Sequence, residues 1–234
     1  MDASEFGAER PTREEAEAAH AELLAHPDVA RLADALRAHP GATAEVTDEV
    51  RPAAILLALR AGADGHPELL MIKRAEAERD PWSGHVACPG GRREPGDRDL
   101  EQTAVRETWE ETGVDVARDG RLLGHLDDIS PRTPVLPPIV IRPYVALVRA
   151  GVEIVPSREV AAAFWVPVTA LREQTAWGVG QVAVGGAMRQ VSVFQHGEYT
   201  VWGLTERVLR QFLTYIGEAP AGQSFDDVRL PPRD

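Results

Sequence analysis

The sequence contains a single cysteine, Cys88, in 234 residues, which excludes an internal disulfide and leaves the fold to its apolar core. It has no run of about 18 apolar residues, the length a helix needs to cross a bilayer, so no membrane partner is expected. No Lys/Arg stripe is present either: 37 acidic residues stand against 25 basic ones, a formal net charge of −12, which argues against nucleic acid as a partner. The opening Met1-Asp2-Ala3-Ser4-Glu5-Phe6 lacks the basic and apolar regions of a secretory signal, and the expected location is cytoplasmic. Internal repeats and low-complexity tracts are absent as well.

What is present suffices for one enzyme-sized core, since 44% of the residues are hydrophobic. Residues 1–50 are expected to form an N-terminal helical extension and a connecting loop. Helix formers run from 12 to 37 with a break at Pro27, and Thr12 through Glu15 matches a capping box. That region is expected to pack on the core, with a homodimer interface as the second reading. Residues 51–217 carry the main domain, and 218–234 are read as a flexible tail. Within the domain, Pro52–Arg60 and Leu69–Arg74 read as paired strands around a turn-rich break. Arg121–Asp128, Ile139–Arg149 and Ala163–Val168 read as further strands, Thr169–Thr175 as a short helix and Val182–Gln195 as one or two strands. A turn is expected at His196-Gly197 and an amphipathic helix over Thr205–Ile216. Strands interleaved with helices in this way imply an α/β sandwich with a mixed sheet.

The most informative stretch is 90–114. Arg106-Glu107-Thr108-Trp109-Glu110-Glu111 is composed mostly of good helix formers, and Gly113 supplies a left-handed cap. At about 100° per residue, Glu107, Glu110 and Glu111 project within roughly 100° of one another as one carboxylate face. Like charges at that spacing destabilise a helix unless a cation neutralises them, and hard Mg2+ or Mn2+ suits oxygen ligands. Arg106, four residues before Glu110, is placed to brace it, while Val105, Thr108, Trp109 and Thr112 are expected to form the packed face. An acid-rich helix face alone is ordinarily solvated surface. Here Pro89-Gly90-Gly91 ends a strand-like run just upstream, and glycine lets backbone approach a ligand, which makes the Gly91 carbonyl a candidate ligand for the same cation. Cys88, beside that turn, is read as a small buried strand residue rather than a nucleophile.

The segment resembles the Nudix box, whose pattern is G-x5-E-x7-R-E-U-x-E-E-x-G-U with U an aliphatic residue. Gly91, Arg106, Glu107, Glu110, Glu111, Gly113 and Val114 match it. Asp97 stands at the upstream acid, one residue further from Arg106 than the pattern has it, and Thr108 fills the first aliphatic position. The lengthened Pro95-Gly96-Asp97 to Thr103-Ala104 spacing is similar to that of coenzyme A pyrophosphatases. So is the run Leu70-Met71-Ile72-Lys73-Arg74-Ala75, Arg79, Gly84 and Cys88-Pro89-Gly90-Gly91, with one extra residue before Gly84 and Cys88 in place of Phe. Tyr199-Thr200-Val201-Trp202-Gly203-Leu204-Thr205 resembles that subfamily's Trp-Gly-x-Thr element.

The resemblance implies a Nudix-type α/β/α sandwich and a Mg2+- or Mn2+-dependent hydrolase that cuts coenzyme A or an acyl form into phosphopantetheine and adenosine 3′,5′-bisphosphate. The metal set is then Gly91, Glu107, Glu110 and Glu111, with Glu107 as general base and Arg106 and Glu111 completing the catalytic group. Lys73, Arg74, Arg79 and Arg92 are candidates for substrate phosphates. Two alternatives stay open: a Nudix pyrophosphatase for another nucleoside diphosphate derivative, such as ADP-ribose, a dinucleotide or an oxidised nucleotide, and a Nudix-fold binding or regulatory protein without turnover.

Overall fold

The computed structural model describes residues 12–47, 49–78, 82–131, 138–184 and 187–218, so Arg79 and positions 219–234 of the expected tail lie outside the described residues. The helical region opens as expected. Helix α1 (Arg13–Ala25) is closed by a reciprocal capping box in which the Thr12 amide donates to Glu15 Oε2 at 2.6 Å and the Glu15 amide to Thr12 Oγ1 at 3.2 Å. Pro27 at the first position of α2 (Pro27–Ala38) restarts the helix in a new direction, because proline fits where no intrahelical amide bond is needed.

The strands β1 (Arg51–Ala61), β2 (Pro67–Arg74), β3 (Val86–Ala87) and β4 (Gly90–Arg92) lead into α3 (Leu100–Thr112) and the short α4 (Val116–Asp119). Strands β5 (Gly120–His125), β6 (Ile139–Val148) and β7 (Val160–Pro167) follow, then α5 (Val168–Leu171) and a 3-10 turn at Gln174–Ala176. The described residues end with β8 (Trp177–Val184), β9 (Ala187–His196), β10 (Tyr199–Trp202) and α6 (Gly203–Tyr215). The first seven strands form one mixed sheet in which β1 pairs parallel with β6 and antiparallel with β2 and β4. The last three make a separate antiparallel sheet.

Side chains alternate across a strand, so each central strand serves two cores. Ala54, Leu56 and Ala58 of β1, Leu70 of β2, and Tyr144, Ala146 and Val148 of β6 pack with Leu100 and Ala104 of α3 and Val116 of α4. Their neighbours Leu57, Leu59, Leu69, Met71, Val145 and Leu147 point the other way, onto Leu23, Val29, Leu32 and Leu36 of the N-terminal helices and Val208, Leu209 and Phe212 of α6. The result is an α/β/α sandwich, and the extension is one of its layers. Each fully buried leucine in these layers contributes about 1.5–3 kcal/mol of apolar transfer.

Three expectations need adjusting. The single helix read over Thr169–Thr175 is α5 plus the 3-10 turn, and β8 begins at Trp177, five residues before the expected start at Val182. Trp109, expected on the packed face of α3, is 56% exposed, whereas Glu111 is 4% exposed.

Candidate active site

The site lies where β4 turns into α3. The Asp99 side chain caps α3 by accepting from the Gln102 amide at 2.8 Å, and Gly113 ends the helix in the left-handed conformation, φ 71°. Thr108 and Thr112 are fully buried on the sheet side because each returns its hydroxyl proton to a carbonyl four residues back, at 2.7 and 2.6 Å.

The carboxylates divide into two groups rather than one face. Glu111 turns toward the sheet, where its Oε2 accepts from the Gly90 amide at 2.8 Å and its Oε1 faces the Arg74 guanidinium at 3.4 Å. Burial pushes its carboxyl up to about 7. Glu107 and Glu110 instead share Arg106, at 3.0 and 2.9 Å. Glu107 is mostly buried, and that burial raises its carboxyl above the ordinary range despite the arginine.

Arg106 organises the second group. Its Nε and Nη2 hold the two oxygens of Asp97 at 3.0 Å each, Nη1 donates to both glutamates, and Nη2 also donates to the Arg92 carbonyl at 3.1 Å. A guanidinium has five N–H groups, and these five contacts use all of them. Asp97 is itself buried and further accepts from Thr103 Oγ1 and the Glu94 amide, each at 2.9 Å. The Arg106 guanidinium holds its carboxyl well below the usual range. Sequence reading placed Asp97 at the upstream acid of the box and identified the brace on Glu110. It did not show that the same arginine ties the 93–99 loop back onto its helix, because nothing in the spacing says which way that loop folds.

The glycine turn sets the distance between helix and sheet. A Cβ at Gly91 would stand 2.5 Å from the Glu107 carboxyl, so backbone and carboxyl are already in contact there. Gly90, with φ 153°, passes the β1 backbone so closely that a Cβ would meet the Ala54 carbonyl at 2.3 Å. Cys88 beside them is buried and its thiol is pushed up to about 12, which removes it as a nucleophile.

Among the described residues no three His, Cys, Asp or Glu side chains converge as a ready-made metal site, and these carboxylates face arginines. The donor set nevertheless fits a hard divalent ion. It is all oxygen, it joins Glu107 to the Gly91 backbone, and the raised carboxyls of Glu107 and Glu111 are acids whose buried negative charge is incompletely matched. Of the proposed substrate residues, Arg74 lies at the end of β2 against Glu111 and Lys73 adjoins it on the strand. Arg92 is exposed, with its guanidinium 6.0 Å from the Trp82 ring. An aromatic pair that sequence reading did not bring together lies beside β3: His85, whose carbonyl accepts from the Arg74 amide at 2.9 Å, meets Trp202 with ring centroids 4.4 Å apart and planes tilted by 56°.

A family model described as the NUDIX domain matches residues 50–183. The chain is 33% identical over 176 residues to a mitochondrial coenzyme A diphosphatase of Homo sapiens, covering 70% of this chain and 69% of the human protein. It is 34% identical over 147 residues to a peroxisomal coenzyme A diphosphatase of Caenorhabditis elegans, covering 62% of this chain and 59% of the nematode protein. A solved MutT/nudix family protein from Enterococcus faecalis, 15% identical, shares the fold over 89% of this chain and 75% of its own, with a TM-score of 0.51. No helix among the described residues is long and apolar enough to cross a membrane. With the box residues assembled around β4 and α3 in this sandwich, the chain belongs to the Nudix family of pyrophosphohydrolases, in the branch similar to coenzyme A pyrophosphatases.

Proposed function

We propose that this protein is a Mg2+- or Mn2+-dependent hydrolase cleaving the diphosphate of coenzyme A or an acyl-coenzyme A to phosphopantetheine and adenosine 3′,5′-bisphosphate. The observation that carries the reading is the excess of acid at the β4–α3 junction, in a chain similar to coenzyme A diphosphatases.

Glu107, Glu110, Glu111 and the Gly91 carbonyl would hold the cation. When bound, it supplies neutralisation of the phosphate charge and makes the attacking water more acidic. Glu107, raised by burial and set against the Gly91 backbone, is assigned the proton of that water. The Gly90 amide fixes one oxygen of Glu111, so this ligand keeps its direction without relying on a flexible partner. Arg106 has no donor left for a substrate, and its role is to position Glu107 and Glu110. Arg74 and Lys73, side by side on β2, and Arg92 are assigned to the anionic groups of a nucleoside diphosphate-type substrate, with Arg79 as a further candidate outside the described residues.

The test is incubation of the purified chain with Mg2+ or Mn2+ and, separately, coenzyme A, ADP-ribose and a dinucleotide, with products identified by mass. Phosphopantetheine is expected from the native protein. Glu111→Gln is expected to lower turnover by more than the about 10–100-fold that loss of a supporting partner costs, with the fold retained by circular dichroism. Cleavage of a different substrate would remove the coenzyme A assignment and keep the site. Near-native activity in Glu111→Gln would remove the ligand role.

A further inference from the structure

Far from the box, the N-terminal helices meet the sheet through two histidines. His26 ends α1 and caps α2, and His66 lies in the turn between β1 and β2. His26 Nε2 and His66 Nδ1 are 3.2 Å apart, with ring centroids 5.3 Å apart and planes at 75°. Zinc binds imidazole nitrogen at about 2.0–2.1 Å, and two such bonds at a tetrahedral angle separate their nitrogens by about 3.3–3.4 Å. The two ring nitrogens therefore already stand at the bite of a divalent transition metal.

The surroundings support that arrangement. His26 Nδ1 lies 3.8 Å from Asp28 Oδ2, and it accepts the Asp28 amide at 3.3 Å. Asp28 is buried and is held as an anion by Arg31 at 2.5 Å and Arg172 at 2.6 Å. A carboxylate behind a ligating imidazole fixes its tautomer and direction. Ligation through Nε2 moves the His26 proton to Nδ1, which gives up the bond accepted from the Asp28 amide and takes the Asp28 carboxylate as its partner instead, and a neutral imidazole needs to lose no proton overall. The backbone that carries the other ring is held too: the His66 amide donates to Asp64 Oδ1 at 3.0 Å, and its carbonyl accepts from the Gly62 amide at 2.8 Å. His66 is exposed, so an ion has a way in.

We propose that His26 and His66 form a two-imidazole site for a transition-metal ion such as Zn2+ or Ni2+, with water in the remaining positions, and that the ion fastens the helical extension to the β1–β2 turn. Imidazole favours these ions whereas Mg2+ favours oxygen, so the site is chemically separate from the carboxylates of α3.

The experiment uses the untagged full chain with Mg2+ in large excess to occupy oxygen sites, and titrates Zn2+ by calorimetry, equilibrium dialysis and melting temperature. The native chain is expected to bind one more Zn2+ than His66→Gln, and to melt higher with Zn2+ than without it. His66→Gln, a surface change, and His26→Gln are each expected to weaken that binding at least tenfold, while the response to Mg2+ is unchanged. Equal Zn2+ stoichiometry, affinity and melting shift in the native chain and in His66→Gln would overturn the proposal.

Discussion

Helices α3 and α6 each carry an arginine and a glutamate four residues apart, and the two pairs teach opposite lessons. On α6, Glu206 and Arg210 are both buried and hydrogen-bonded to each other, with the guanidinium 4.5 Å over the Trp177 ring. Acid and base meet inside the core, and burial raises the Glu206 carboxyl despite the arginine. On α3, Arg106 and Glu110 sit at the surface end of a cluster in which Asp97, Glu107, Glu110 and Glu111 outnumber Arg74 and Arg106. A balanced pair sealed from water is a packing element. A partly open cluster with acid to spare has capacity for an added cation.

The contrast can be broken first at α6. Glu206→Ala removes the carboxylate that faces a buried arginine and is expected to cost about 3–5 kcal/mol of stability, measured by urea unfolding, with turnover per folded molecule preserved. Replacing both partners by apolar residues, Glu206→Leu with Arg210→Met, is expected to recover most of that loss. At α3 the corresponding change acts on chemistry. Arg106→Lys keeps the charge but gives up the two-pronged hold on Asp97, so kcat is expected to fall about 10–100-fold with little change in unfolding. Full activity in the lysine variant would mean that charge alone suffices there.

The smallest effect sharpens the comparison through pH. Glu111 has a folded pKa of about 7 against an ordinary value of 4.5, so the folded state binds its proton more tightly than the unfolded chain does. Its contribution is fully present below about pH 4.5 and is lost as pH rises through about 7. In chelator, the native protein is therefore expected to lose a few degrees of melting temperature across that window relative to Glu111→Gln. Asp97 runs the other way, since its depressed carboxyl stabilises at neutral pH and loses that effect in acid. Parallel melting curves for the two proteins from pH 4.5 to 7 would show that Glu111 is not held as described.

Much of this was legible in sequence because its signals are local. The capping box at Thr12, the restart at Pro27, the left-handed stop at Gly113 and the turn at His196-Gly197 each depend on a few neighbouring residues, and all are found. The two faces of α3 were harder to read. Periodicity groups Val105, Thr108, Trp109 and Thr112 as apolar, but it carries no information about what lies opposite. Opposite Glu111 is a backbone amide, at Gly90, that needs an acceptor, so the acid goes in while Trp109 stays out. Likewise, Arg106 found Asp97 through a loop, and His26 found His66 across 40 residues of chain. Such meetings are set by the sheet, and helical spacing does not contain them.

The glycines of the β4 turn bear on how this protein can change over time. Gly90 is in contact with Ala54 and Gly91 with Glu107, leaving no volume at either position for even a methyl group. A substitution at Gly91 pushes the Glu107 carboxyl aside, and one at Gly90 pushes β4 off β1 and moves the amide that holds Glu111. Drift toward a new substrate is thereby barred from the turn itself and channelled to the rim, to side chains such as Lys73, Arg92 and Trp202, where one residue can be exchanged without moving the acids.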